Sequence, residues 1–277
     1  MGFKIAYGAG HYLHEAGNRL PKELDSEQTR EWTLNDRVAR YFAQAAAGYE
    51  GVELLRTDDA AGENEVGLQA RCDKANAFGA DFALSIHHNA GANLTNAGGV
   101  EVYSYYGSTK GKAYRDAIYD ACIAAGGLRG NRATPKKEAG YHVLKFTAMP
   151  CVLVECGFMD SKQDAPVILQ EGYAQKMGQA IMEAVAKVAG LKKKTAIQQA
   201  SILPKLQQGS WGDGVKALQI LLIGYGCSCG QCGADGVFGS GTKAAVEKFQ
   251  KAKGLSADGV CGENTWRALL GIREVAV

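Results

Sequence analysis

Pro150-Cys151-Val152-Leu153-Val154-Glu155 shuts a run of four apolar residues between a proline and a carboxylate. A strand with one wet face alternates apolar and polar side chains. An unbroken apolar run is what a strand covered on both faces requires. Such strands belong to sheets with helices above and below. Working outward, residues 3–7, 52–55, 81–87 and 99–106 read as further strands. Residues 31–45, 68–78, 111–125 and 164–189 read as helices, the last as one or two. Leu34, Val38, Tyr41, Phe42 and Ala45 recur at helical spacing. Strands alternating with helices imply an α/β domain, a largely parallel twisted sheet flanked by helices.

The C-terminal part has a different grammar. Ala234-Asp235-Gly236-Val237-Phe238-Gly239 precedes Thr242, and Ala257-Asp258-Gly259-Val260-Cys261-Gly262 precedes Thr265, one offset relating the two. Gly212-Asp213-Gly214-Val215 is a partial third copy. Each turn leads into an apolar-periodic helix, which predicts a small three-helix all-α domain. The polar stretch Lys192-Lys193-Lys194 through Pro204 separates the two parts. The expected organisation is therefore an α/β domain over 1–190, a linker over 191–206 and a helical domain over 207–277.

Composition excludes several classes. Of the 277 residues, 46% are apolar, enough for a sizeable core. Lys and Arg number 31 against 29 Asp and Glu, a net charge of +2. No strong field draws such a chain to nucleic acid. No apolar stretch of about 18 residues is present, so membrane insertion is not expected. The opening Met1-Gly2-Phe3-Lys4-Ile5-Ala6-Tyr7 lacks the pattern of a secretion leader, so synthesis in the cytoplasm is expected. The eight cysteines then read as thiols rather than a disulfide framework.

His11 follows the first strand, His87 ends the third, and Glu155 directly follows the apolar run. All three fall at C-terminal strand ends, the edge where open α/β sheets bind ligands. Glu31 opens the first helix. Two histidines and one glutamate are a donor set for catalytic zinc with an open position for water. A further carboxylate outside that set can move protons. Taken alone, Glu31 also reads as an ordinary first-turn acid stabilised by the helix dipole.

These residues carry a resemblance. Gly8-Ala9-Gly10-His11, Thr29-Arg30-Glu31, Arg71, Ala75-Asn76, Gly79-Ala80-Asp81 and Ser85-Ile86-His87-His88-Asn89-Ala90 resemble the zinc-dependent N-acetylmuramoyl-L-alanine amidases of the "amidase 3" type. Gly98-Gly99-Val100-Glu101-Val102-Tyr103, Val143-Leu144-Lys145 and Met149-Pro150-Cys151-Val152-Leu153-Val154-Glu155-Cys156-Gly157-Phe158 extend the match from residue 3 to about 189. The resemblance implies one zinc per chain held by His11, Glu31 and His87, with Glu155 as general base and acid. It implies cleavage of the amide between the lactyl group of N-acetylmuramic acid and L-alanine in bacterial peptidoglycan. Many members carry Asp-Pro-Gly-His where this chain has Gly8-Ala9-Gly10-His11. Glu27, one turn before Glu31, and His88, beside His87, are the competing candidates for ligands.

The C-terminal repeats resemble the type 1 peptidoglycan-binding domain through Val215-Lys216-Ala217-Leu218-Gln219, Asp235-Gly236-Val237-Phe238-Gly239, Phe249-Gln250, Asp258-Gly259-Val260 and Thr265-Trp266. Phe238, Phe249 and Trp266 read as core, and Cys261 as a small core residue in the place of Phe238. A structural metal at Cys227, Cys229, Cys232 and Cys261 fits no common zinc spacing. A wall hydrolase without a leader needs another exit, so a bacteriolytic endolysin of a phage or prophage is expected. The alternatives are a bacterial autolysin or spore-wall amidase, a Cys/His hydrolase using Cys151 or Cys156 with His142, and an inactive wall-binding protein.

Overall fold

The computed structural model describes residues 2–195 and 203–272, which form two compact units divided after Lys193. The first is a six-stranded sheet with the order β2-β1-β3-β6-β4-β5. Its strands are β1 (Phe3–Ala9), β2 (Val52–Arg56), β3 (Phe82–Asn89), β4 (Glu101–Ser104), β5 (Lys136–Glu138) and β6 (Cys151–Phe158). Every pairing is parallel except that of β4 with β6. The sheet is thus mixed but largely parallel. β5, only three residues long, has no apolar pattern to announce it.

Six helices cover this sheet: α1 (Glu31–Ala46), α2 (Leu68–Phe78), α3 (Thr109–Ala124), α4 (His142–Phe146), α5 (Ala165–Ile168) and α6 (Glu171–Ala189). Alternation along the strands sorts the side chains. Ile5, Phe82, Leu84, Ile86, Val152 and Val154 enter one core with Phe42, Ile118 and Met177 of α1, α3 and α6. Ala6, Ala83, Cys151 and Leu153 enter a smaller one with Ala75 of α2 and Leu144 of α4. Both faces of β6 are therefore covered, as its apolar run demands. Gly178 lets α6 lie directly on α1, since a Cβ there would sit 2.6 Å from the Phe42 nitrogen.

Two strands run further than the apolar runs suggested. β3 continues to Asn89 and β6 to Phe158, where these two residues pair. Glu155 therefore lies inside β6, not after its end, and His87 inside β3. The extension passes through Gly157 at φ +139, where a side chain would be strained and a Cβ would meet Ile168.

The described residues of the second unit form three helices, α7 (Asp213–Gly224), α8 (Ser240–Ala252) and α9 (Glu263–Leu269). Val215, Leu218, Phe238, Val246, Phe249, Cys261 and Trp266 make its core. The repeat is structural as well as textual. Gln219 Nε2 reaches Asp235 Oδ1, Val237 O and Thr242 Oγ1, while its Oε1 accepts from Gly236 N. Gln250 makes the same four contacts with Asp258, Val260, Thr265 and Gly259. Each glutamine ties the helix before a turn to the helix after it. The expected linker over 191–206 is drawn in from both sides. Lys193 pairs with Tyr49 in the first unit, and Leu206 pairs with Cys261 in the second. Residues 196–202 lie outside the described residues.

Candidate active site

The sheet positions the site through one face of its central strands. Ser85 and His87 on β3, Glu155 on β6 and Glu101 on β4 share the parity of Ala83 and Leu153, so they face the α2 and α4 side. Those two helices are short and leave the C-terminal half of that face open. A cleft of about 210 Å³ opens there, lined by Tyr12, Glu15, Val66, Leu68 and Arg71 beside His11 and His87.

The chain leaves β1 through Gly10 and turns at His11, whose φ of +64 is left-handed. Gly10 is required by proximity: a Cβ there would lie 2.0 Å from Cε1 of the His87 ring. Glu31 is the first residue of α1 and only 4% exposed. Its Oε2 lies 3.2 Å from His11 Nε2, and its Oε1 lies 3.2 Å from His87 Nδ1. Among the described residues, His11, Glu31 and His87 form a group whose donor atoms all lie within 4.8 Å of one another. Donors about 2.0–2.2 Å from one tetrahedral ion stand roughly 3.3 Å apart, so these separations fit a single zinc. Two imidazole nitrogens and a carboxylate oxygen suit that metal. Glu27 is exposed and lies outside this group, so it is Glu31 that the fold brings to the two histidines.

Each ring's other nitrogen is held. Glu15 Oε2 lies 2.6 Å from His11 Nδ1, with the Asn18 amide 2.7 Å from the same nitrogen. Ser85 Oγ lies 3.0 Å from His87 Nε2. Partners of this kind fix tautomer and ring direction at metal centres. His88 faces the opposite core. Its Nδ1 meets Asn35 Oδ1 at 2.8 Å, and Asn35 Nδ2 donates to Glu31 Oε1 and to Gly10 O, each at 3.2 Å. Burial pulls His88 down to about 4, helped by His87 and opposed by Glu31. It stays neutral at ordinary pH and serves Glu31 through Asn35. Burial alone would raise the Glu31 pKa. The hydrogen bond from His87, the two histidines and Asn35 outweigh it and hold the carboxyl below its usual value.

Glu155 is the Cα partner of His87 across β3 and β6, and of Glu101 across β6 and β4. Its Oε2 is buried and has no hydrogen-bond partner among the described residues. Burial first, then Glu31 and Glu101, push this carboxyl well above the usual range, with Lys137 opposing. Glu101, 1% exposed, is the contrast. Lys137 Nζ, Arg132 Nε, Tyr103 OH and Asn89 Nδ2 all donate to it, at 2.7, 2.8, 2.7 and 3.0 Å. These bonds outweigh burial and keep it ionised. A buried carboxylate saturated with donors and one with a bare oxygen thus sit side by side. The second is the group that can carry a proton.

The expected four residues come together. Glu15, Ser85, Asn35, Glu101 and Lys137 were not anticipated in any role. Two had a signal. Asn35 follows Glu31 by four, on the same helical face, and Ser85 precedes His87 by two, on the same strand face. Cys151 and Cys156 are buried with thiols pushed up by burial, Cys151 to about 12, which suits core residues and not nucleophiles.

Residues 5–187 match the family model described as N-acetylmuramoyl-L-alanine amidase. The chain belongs to the N-acetylmuramoyl-L-alanine amidase family. Residues 212–269 match the model of a peptidoglycan binding domain. The amidase CwlM of Bacillus licheniformis is 34% identical over 151 residues, 53% of this chain and 55% of that protein. A sporulation-specific N-acetylmuramoyl-L-alanine amidase of Bacillus subtilis is 34% identical over 166 residues, 59% of each chain. The chain thus spans a little over half the length of these amidase relatives. The solved catalytic domain of CwlV, an amidase from Bacillus (Paenibacillus) polymyxa, superposes with a TM-score of 0.60 at 21% identity, covering 69% of this chain and 99% of that domain. That likeness extends the amidase fold over the first unit.

Proposed function

We propose that this chain is a zinc-dependent peptidoglycan hydrolase that cleaves the amide between the lactyl group of N-acetylmuramic acid and L-alanine. One observation carries the reading. His11, Glu31 and His87 converge beside the unpartnered oxygen of Glu155, in a chain of the amidase family. One zinc per chain fits the donor set, held by His11 Nε2, His87 Nδ1 and the Glu31 carboxylate. When bound, it supplies a Lewis acid that acidifies water and polarises a carbonyl.

The chain's own groups do the rest. Glu15 and Ser85 keep the rings aimed. Glu155 takes a proton from the attacking water on Oε2 as the water oxygen bonds the amide carbon. It returns that proton to the amide nitrogen as the carbon–nitrogen bond breaks. The products are a lactyl carboxylate and the free amino group of alanine. The desolvation that raises the Glu155 pKa makes it a proton carrier rather than a fixed anion.

The second unit binds the wall in this reading, raising the effective concentration of enzyme on an insoluble polymer. Its support is the match of residues 212–269. The setting we favour is a phage or prophage endolysin, with autolysin or spore-wall amidase as the alternative. Lysis of vegetative walls but not of spore walls supports the first two over the third. Chelation followed by zinc readdition tests the chemistry. Release of amines from purified peptidoglycan stops and then returns. Full release from zinc-free protein contradicts the assignment.

A further inference from the structure

Arg71 is 7% exposed and leaves the first turn of α2 for the metal-proximal loop. No carboxylate among the described residues is in ion-pair contact with it; Asp58, Glu15 and Glu65 act on it only from a distance. Its donors serve backbone carbonyls instead. Nε donates to Val66 O at 2.7 Å, one terminal nitrogen to Ala9 O, and the other to His11 O at 2.7 Å. A buried guanidinium satisfied only by carbonyls is costly unless those carbonyls need it.

Two of these carbonyls, Ala9 O and His11 O, belong to a strained turn. His11 holds φ +64, a left-handed conformation that a side chain with a Cβ avoids. Three successive carbonyls of this turn each accept from a side chain: Ala9 O and His11 O from Arg71, and Gly10 O from Asn35. The same turn aims His11 Nε2 at Glu31 Oε2. Relaxation of His11 to negative φ would swing its ring away from Glu31. A planar fork reaches two carbonyls two residues apart, which a lysine ammonium cannot do in the same way.

We propose that Arg71 is a positioning residue that sets metal affinity by holding the left-handed His11 turn. The inference rests on the reading of His11, Glu31 and His87 as the zinc site. The test uses the full chain with zinc alone. Zinc dissociation constants of wild type, Arg71→Lys and Arg71→Met are measured by competition with a chromophoric chelator, well below each metal-free melting temperature. Affinity is expected to fall about 10- to 100-fold in both variants, the range for lost supporting contacts at metal ligands. Unchanged affinity in a variant that melts lower overturns the proposal, making Arg71 a stability element alone. If Arg71→Met does not fold, Arg71→Lys, which keeps the charge and loses the fork, decides by the same criterion. A wild-type chain that holds no zinc fails the metal reading itself, and is distinguishable from equal binding by all three.

Discussion

Glu155 and His87 are register partners on the parallel strands β6 and β3, so a carboxyl and an imidazole are fixed to each other by the pairing of their strands. No loop motion is needed to bring them together. Replacement of Glu155 by Gln should leave zinc bound and cost about 10²–10⁴-fold in turnover. Metal content and amine release on the same sample check this. Loss of zinc in the variant would mean that Glu155 is a ligand.

The same substitution has a stability signature. The Glu155 carboxyl is raised above its unfolded value of 4.5. Above pH 4.5 the unfolded chain ionises first, so the folded metal-free protein loses stability as pH rises, until Glu155 itself ionises. Glu155→Gln removes that loss. The metal-free variant should therefore melt above wild type at pH 7, at about 2–4 °C per kcal/mol recovered. Thermal melting of both chains in chelator is the measurement, and a lower variant melting temperature contradicts it.

His88 gives the opposite slope. Its pKa of about 4 lies below the unfolded value of 6.5. Between these values the unfolded state binds the proton and the folded state does not, so stability is lost as pH falls from 6.5 to about 4. His88→Asn keeps a donor toward Asn35 and should flatten this part of the pH–stability curve. An equal slope in wild type and variant would show that His88 is not the titrating group.

The glutamates of α1 and its approach offer a clean contrast. Glu31→Ala should abolish tight zinc binding, while Glu27→Ala should leave it unchanged, because only Glu31 faces both histidines. The reverse result would relocate the centre.

Much of this was legible in the residues, for identifiable reasons. The run Cys151–Val154 announced a doubly covered strand because burial on both faces leaves no polar position. Its true end at Phe158 was not legible. Glu155 reads as a stop, and only the opposite strand shows that it continues in register. β5 was silent because Lys136, Lys137 and Glu138 are polar, and their strand state comes from pairing with Val102–Ser104. The His, Glu, His set could be assembled from strand ends and resemblance. Glu15 could not, since it meets His11 through an irregular loop. Glu101 hid for another reason: its partners Arg132 and Lys137 arrive from 31 and 36 residues away.

The second unit carries a prediction of its own. Gln219 and Gln250 hold equivalent buried networks, so Gln→Ala at either position should destabilise that unit by about 1–3 kcal/mol, the cost of stranding buried polar groups. Chemical denaturation followed by fluorescence in a Trp32→Phe background, where the remaining Trp211 and Trp266 both belong to the second unit, would read it. A change at one site without the other would break the structural equivalence of the repeats.

The most direct test of the account is mass spectrometry of purified peptidoglycan digested by the zinc-loaded chain. The account predicts peptides with a new free alanine amino terminus and glycan strands bearing intact lactyl carboxylates, with no new reducing ends. New reducing ends, or cleavage within the peptide alone, would contradict it.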